Sequence, residues 1–243
     1  TRAEPLTYSA KGTIAGLDVR RLGQALDIQA LDDERYGGRV NGDFDVHAAG
    51  TSLEELQLSA SGTLSDSAMW GTHVPEMSFT AGIAESALTL DVKGAFDQLN
   101  PAVLLERKAL DGNVNGTVDA TLRWRHLAAP ITAASIDVDG RVVLAPSLIG
   151  GVQVAGADVE GRYAAETADI SRLHVDGPDV TLDASGRLAL GRAQTSDLKY
   201  RINAGDLTEL GRIIGRSGLD GTLALDGTVT GNAGSLETAG TLS

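Results

Sequence analysis

Cysteine is absent from this chain, and aromatic side chains are few: three Phe, two Trp and four Tyr in 243 residues. The first absence removes disulfides, thiolate metal sites and cysteine nucleophiles, and leaves compartment unmarked by redox chemistry. The second means that the apolar surface, at 42% hydrophobic content, is built from Leu, Val, Ile and Ala with few bulky plugs. Positive charge is scarce as well. Twenty Lys and Arg against 33 Asp and Glu give a net charge of −13, which argues against a nucleic-acid partner, since that would need a clustered basic surface. The acids are scattered at alternate positions and form no tail or block, as in an ordinary solvated surface. No run approaches the ~20 apolar residues that cross a bilayer, and no signal peptide opens the chain. It starts at Thr1, not Met, and stops at Ser243 in mid-pattern, so it reads as an excised piece of a longer protein.

Signatures of catalysis are missing too. His47, His73, His126 and His174 show no paired spacing and no recurring acid partner, which speaks against a zinc site or a triad. Asp43-Phe-Asp45 and Asp137-Val-Asp139 look like fragments of a calcium loop. In each, however, the intervening residue is apolar and no glycine-and-glutamate continuation follows, so strand alternation explains both. There is no P-loop, no G-x-S-x-G and no G-x-G-x-x-G between a strand and a helix. Neither an enzyme activity nor a cofactor or metal is expected.

What the chain has in quantity is period-2 alternation. Tyr8, Ala10, Gly12 and Ile14 oppose Thr7, Ser9, Lys11 and Thr13, while Val40, Gly42, Phe44 and Val46 oppose Arg39, Asn41, Asp43 and Asp45. Leu56, Leu58, Ala60, Gly62 and Leu64 share a face, as do Leu88, Leu90, Val92 and Gly94. The longest clean run places Val114, Gly116, Val118, Ala120, Leu122 and Trp124 opposite Asn115, Thr117, Asp119, Thr121, Arg123 and Arg125. Later runs cover 136–144, 152–163, 170–175, 180–190 and 198–204, with Leu182, Leu188 and Leu190 on the apolar side of one. Such runs are half-buried strands. Residues 65–75 read as a loop, less regular than the runs on either side. At roughly 10 residues per strand plus turn, the whole would hold about 14–18 strands, a sheet roughly 65–85 Å long.

A larger unit recurs. Residues 206–231 read as a short helix capped by Asp206, with Leu207, Leu210, Ile213 and Ile214 at helical spacing. A glycine turn follows, then a strand with Leu223, Leu225 and Val229 on its apolar face. Similar starts occur near Asp18 and Asp97. The strands after these two share Val-Asn-Gly, at 40–42 and 114–116, and the third has the related DGTVTG at 226–231. The unequal spacing of starts near 18, 97 and 206 excludes a solenoid of fixed period. The expectation is therefore one elongated segment over 1–243, with short helices over 18–27, 97–108 and 206–215. Gly12, Gly42, Gly62, Gly94, Gly116, Gly140, Gly161, Gly186 and Gly227 all fall by parity on the apolar face, as a column of glycines marking a fold line would.

The helix-then-strand unit, the glycine-bearing strands and the closing clause LDGTLALDGTVTGNAGSLETAGTLS together resemble the AsmA-like superfamily, and within it the TamB group of cell-envelope proteins. The resemblance runs over most of the chain and rests on repeat style. It implies a mainly β protein: a long antiparallel sheet curled into a U-shaped, taco-like trough with about three short edge helices. It also implies a place in the periplasm, with an inner-membrane anchor outside this piece. Phospholipid is then the cargo, and an outer-membrane barrel protein a further partner. The residues that would line the trough are Val40, Phe44, Val46, Leu56, Leu58, Leu88, Leu90, Val92, Val114, Val118, Leu122, Trp124, Leu182, Leu188, Leu190, Leu223, Leu225 and Val229.

Read from the residues alone, the same face has two outcomes. If two halves of the sheet close on each other, it is the dry core of a sandwich; if they stay apart, it is a continuous oily groove. Three functions remain in competition: a lipid conduit, a scaffold that receives unfolded outer-membrane strands by β-augmentation, and an extended adhesin-type β domain.

Overall fold

Alternating sequence becomes antiparallel ladder almost everywhere. A computed structural model describes residues 6–18, 20–21, 37–52, 55–69, 71–105, 107–127, 129, 132–206 and 221–243. Its strands are β1 (Thr7–Leu17), β2 (Gly38–Ala49), β3 (Gln57–Met69), β4 (Thr72–Ala84), β5 (Ala87–Leu99), β6 (Gly112–Trp124), β7 (Ile136–Leu144), β8 (Ser147–Ile149), β9 (Val152–Val154), β10 (Gly156–Ala164), β11 (Thr167–Asp176), β12 (Val180–Ala189), β13 (Ser196–Ala204), β14 (Leu223–Asn232) and β15 (Ser235–Leu242). They form one 15-stranded sheet in sequence order, with β8 and β9 as a side branch on the start of β6. The sheet is open and curled, as expected for this mainly β chain.

The helical expectations fare differently. Residues 97–99 are strand, not helix: Leu99 pairs with Val114 beyond a bulge at Gln98. The helix there, α1, covers only Pro101–Leu105 and is capped by Asn100, whose Oδ1 accepts from the Ala102 N–H at 3.0 Å. A 3-10 turn, Lys108–Leu110, follows. Near 18–27, Asp18 Oδ1 accepts from the Arg20 and Arg21 N–H groups, a helix cap, but most of that segment lies outside the described residues. So does 207–220, which holds nearly all of the third expected helix. The stretch 65–75 is no loop: β3 and β4 run on as a long hairpin to Met69–Thr72.

The described residues form no second layer of sheet. The extensive contacts between strands run between hydrogen-bonded neighbours along the sheet, apart from a small one between β12 and β14. The accessible surface is 15142 Å². A compact monomer of 25.1 kDa would expose about 10,300 Å². Buried apolar residues are few and mostly small: Val40, Val74, Phe96, Val114, Val154, Ala157, Ala184, Ala189 and Ala204 among the described residues. With so little interior, the ladder itself and its irregularities carry the fold.

Those irregularities repeat. Asn41, in the first Val-Asn-Gly, accepts from the Gly16 N–H at 2.7 Å on β1 and donates from Nδ2 to the Asp66 carbonyl at 2.6 Å on β3. Its backbone N–H donates to Ser67 Oγ, which donates in turn to the Asn41 carbonyl, both at 2.9 Å. Asn115, in the second, accepts from the Gln98 N–H at 2.9 Å and donates to the Pro146 carbonyl at 3.0 Å, with Ser147 in the place of Ser67. Asn41 thus clamps a bulge in the strand before it and another in the strand after it, and Asn115 a bulge in β5 and the break between β7 and β8. The register shifts at Ile14/Leu17 and Phe96/Leu99, and at Arg39/Gly42, match this placement. Bulges leave unpaired backbone groups, and the amide side chain satisfies them. The third version lacks the asparagine, and β14 pairs with β13 from Leu223 to Gly231 without a shift. Its likeness to the other two does not extend to the clamp.

Asn115→Ala removes two of these bonds and leaves the Gln98 N–H and the Pro146 carbonyl without their partner. The expected loss is about 1–3 kcal/mol by urea unfolding, with no comparable loss for the exposed neighbour Asn113→Ala. Equal effects of the two would mean that the clamp does not hold the bulges.

Candidate functional site

Because the strands pair nearly in register, side chains of one parity line up in rows that cross the sheet at right angles to the strands. One row runs Ile14, Gly42, Leu64, Met77, Gly94, Val118, Val142, Val159, Leu173, Ala184, Tyr200 and Gly227, from β1 to β14 without a charged residue. The next holds Ala10, Val46, Ala60, Ala81, Leu90, Leu122, Val138, Tyr163, Ala168 and Leu188. Nearer the rim lie Tyr8, Ala48, Leu58, Ile83, Leu88, Trp124 and Ile136. Toward the other end are Phe96, Gly116, Leu144, Ala157, Val175, Leu182, Ile202 and Leu225. The result is an apolar face that is continuous across the sheet.

Most of this face is half-buried, neither sealed nor fully bare. Phe44, Val46, Leu56, Leu58, Leu88, Leu90, Val92, Val118, Leu122, Trp124, Leu182, Leu188, Leu223, Leu225 and Val229 are all in that state. Val40 and Val114 differ, being buried beside the asparagine clamps. Leu190 differs the other way. β12 ends at Ala189, which is 1% exposed, and Leu190 just beyond it is 53% exposed, so the alternation that would put Leu190 beside Leu188 stops one residue short. Val138, Val142, Leu144, Val159 and Leu173 belong to the same rows and were not singled out from sequence. Their parity was legible; their partners were not, since register links strands far apart in the chain.

Glycines and aromatics share the face in a particular way. Gly12, Gly62, Gly140, Gly161 and Gly186 do fall on one row, with Phe44, Phe79, Val92, Ala120, Ile170 and Leu198 between them. The other four lie on neighbouring rows, so there is no single column. The aromatic rings lie over glycines on the adjacent strand. A Cβ at Gly62 would come 2.9 Å from the Phe79 ring, one at Gly116 3.2 Å from the Phe96 ring, and one at Gly227 2.6 Å from Tyr200 Cζ. The few aromatics are thus spent on filling glycine gaps.

The opposite face is charged, and its rows alternate in sign. Lys93, Asp119, Arg141, Glu160 and Arg172 form one, and Asp139, Arg162, Asp169, Arg187 and Asp197 a second. Asp158, His174, Asp183, Arg201 and Asp226 make a third. Ion pairs close many of these contacts: Lys93–Asp119 at 2.7 Å, Arg141–Asp158 at 2.7 Å, Arg172–Asp158 at 3.1 Å, Arg187–Asp169 at 2.8 Å and Arg201–Asp226 at 2.6 Å. A broad recess of about 1040 Å³ opens on this charged face, over Gly140, Gly161 and Gly186, ringed by both signs of charge. No group of three or more His, Asp or Glu among the described residues is arranged to hold a metal ion. No family model, curated protein or solved structure matches the chain.

These pairs set how the sheet responds to pH. Arg141 beside Asp158 holds that carboxyl below its ordinary value of 3.8, so its contribution is present above that value and lost as pH falls below it. His174 bridges two strands, with Nδ1 2.7 Å from Asp183 and Nε2 3.0 Å from Asp176, and its pKa is raised above 6.5, chiefly by Asp183. His73 is raised likewise, chiefly by Asp66. A raised histidine contributes fully below 6.5 and loses that contribution as pH climbs through the raised value. Melting temperature should therefore fall as pH rises from about 6 to about 8.5. Asp183→Asn should flatten that fall and lower the His174 titration midpoint read by NMR. A midpoint unmoved by the substitution would contradict the assignment of the shift to Asp183.

Proposed function

We propose that the chain is a segment of a periplasmic lipid conduit, which shelters phospholipid acyl chains on its apolar face as they pass between the inner and outer membranes. One observation carries this reading: apolar rows cross the sheet from strand to strand without a charged residue, and no second sheet among the described residues packs over them. An exposed apolar surface of this extent calls for a partner. An acyl chain gains about 0.8 kcal/mol for each CH₂ that stays out of water, so a chain of about 16 carbons needs on the order of 10 kcal/mol of continuous shelter. Scattered hydrophobic patches would not supply it. The charged face, with its paired rows, stays in water and keeps the open sheet soluble. The reading assigns the chain no catalytic role.

Photo-crosslinkers placed on the two faces test the conduit. In cells, Val118 and Leu188 should give lipid adducts, whereas Thr117 and Arg187, one residue away on the charged face, should give few. Leu188→Arg should slow lipid transfer between donor and acceptor vesicles by at least about tenfold, because a chain passing the guanidinium must be exposed or must desolvate it. Since Leu188 is only half-buried, the introduced guanidinium snorkels to water and costs about 1 kcal/mol or less of stability. Adducts that ignore parity, or a Leu188→Arg variant that no longer folds, would contradict the conduit.

A further inference from the structure

Arginines gather at one end of the sheet. At the ends of β6, β7 and β10, three arginines gather around one carboxylate. Arg123 is in register with Asp137 on β7, and Arg125, just past the end of β6, holds that same Asp137 through a two-pronged bond from Nε, at 2.9 Å, and Nη2. Arg162, two residues before the end of β10, is in register with Asp139 and close enough to Asp137 to help hold its carboxyl down. Neither Arg123 nor Arg162 makes an ion pair or side-chain hydrogen bond among the described residues, and Asp139 makes none either. Asp169, on the other side of Arg162, is taken by Arg187. The chain that follows Arg125 is pinned to the rim: the Leu127 N–H donates to the Ser86 carbonyl at 2.9 Å, and Tyr163 Oη donates to the Ala133 carbonyl at 2.8 Å.

A second observation lies on the apolar side of this rim. Trp124 sits between Arg123 and Arg125 in sequence and between Leu88 and Ile136 in the sheet. Its indole N–H is buried and has no hydrogen-bond acceptor among the described residues. Buried indole donors ordinarily have a partner. Two guanidiniums that make no ion pair among the described residues and an indole N–H without an acceptor thus lie within a few residues of each other. The arginines belong to the charged face and Trp124 to the apolar one, and the two faces adjoin at this rim.

We propose that this rim is a headgroup subsite: Arg123, Arg125 and Arg162 hold the phosphate of an anionic glycerophospholipid whose acyl chains lie against Trp124 and Leu88. The assignment rests on the conduit reading and adds to it a preferred cargo and an orientation. Guanidinium forks match phosphate oxygens in geometry as well as charge, which a lone ammonium does not. An ester or phosphate oxygen of the same lipid supplies the acceptor for the indole. Arg125 stays with Asp137 and orients the group, while Arg123 and Arg162 make the new bonds.

The test uses the full chain carrying Trp70→Phe, so that Trp124 is the remaining tryptophan. Two monomeric lipids with identical brominated acyl chains are titrated, a phosphatidate and a diacylglycerol, and quenching of Trp124 is read. The phosphatidate should quench at concentrations about tenfold lower or more. Arg123→Gln with Arg162→Gln should abolish that preference, while the double variant Arg172→Gln with Arg201→Gln, which removes the same charge from the middle of the charged face, should keep it. If both lipids quench alike, or if the preference survives the first double variant, the headgroup subsite is overturned and the apolar contact stands. If neither lipid quenches, the subsite and the conduit reading fall together. If the preference is lost equally in both double variants, general charge and not this rim is responsible, which also overturns the subsite.

Discussion

Everything in this molecule depends on the backbone ladder between consecutive strands. A globular domain of comparable length holds together by burying side chains between layers, and the ladder within each layer is one contribution among several. Here the described strands make one layer, so each is held by its neighbours in the ladder and by little else. Three devices compensate. Asparagine clamps at 41 and 115 satisfy the backbone where bulges break the ladder. Rings of Phe79, Phe96 and Tyr200 fill the gaps over glycines on the next strand. Rows of alternating charge tie the strands together on the wet face, each pair contributing modestly because it is exposed.

The same constraint leaves the apolar face open. A sheet that curls without closing cannot cover its own hydrophobic side, and leaving such a surface bare to water is unfavourable. On the conduit reading proposed above, a mobile apolar ligand takes the place of the covering layer that the described residues lack. Acyl chains suit this role because they need length and continuity more than shape. The recess on the charged face, ringed by charges of both signs, has the opposite character and offers no shelter to hydrocarbon.

Much of this was legible in the sequence, because the two periods that matter are local. Alternation at 114–124 identified β6 and both of its faces, and the repeated Val-Asn-Gly marked two equivalent places in the fold. What was not legible depended on pairing. Residues 97–99 carry a helix-like stripe, yet the chance to pair Leu99 with Val114 keeps them in the ladder until Pro101. The irregular stretch 65–75 proved to be a bulged hairpin because Ser67, with no exposure at all, closes the bulge from inside. Leu190 follows its own strand's parity but lies past the last rung. The charge rows, the glycine row and the arginine rim are built from residues dozens of positions apart and emerge only once register is known.

The central claim is that the open apolar face carries lipid, and native mass spectrometry of the chain purified from cells under non-denaturing conditions tests it most directly. The account expects a population of protein with added masses of phospholipid, released on gentle activation and identified as glycerophospholipid in the organic extract. A chain that stays folded, monomeric and free of lipid in the same preparation would contradict it.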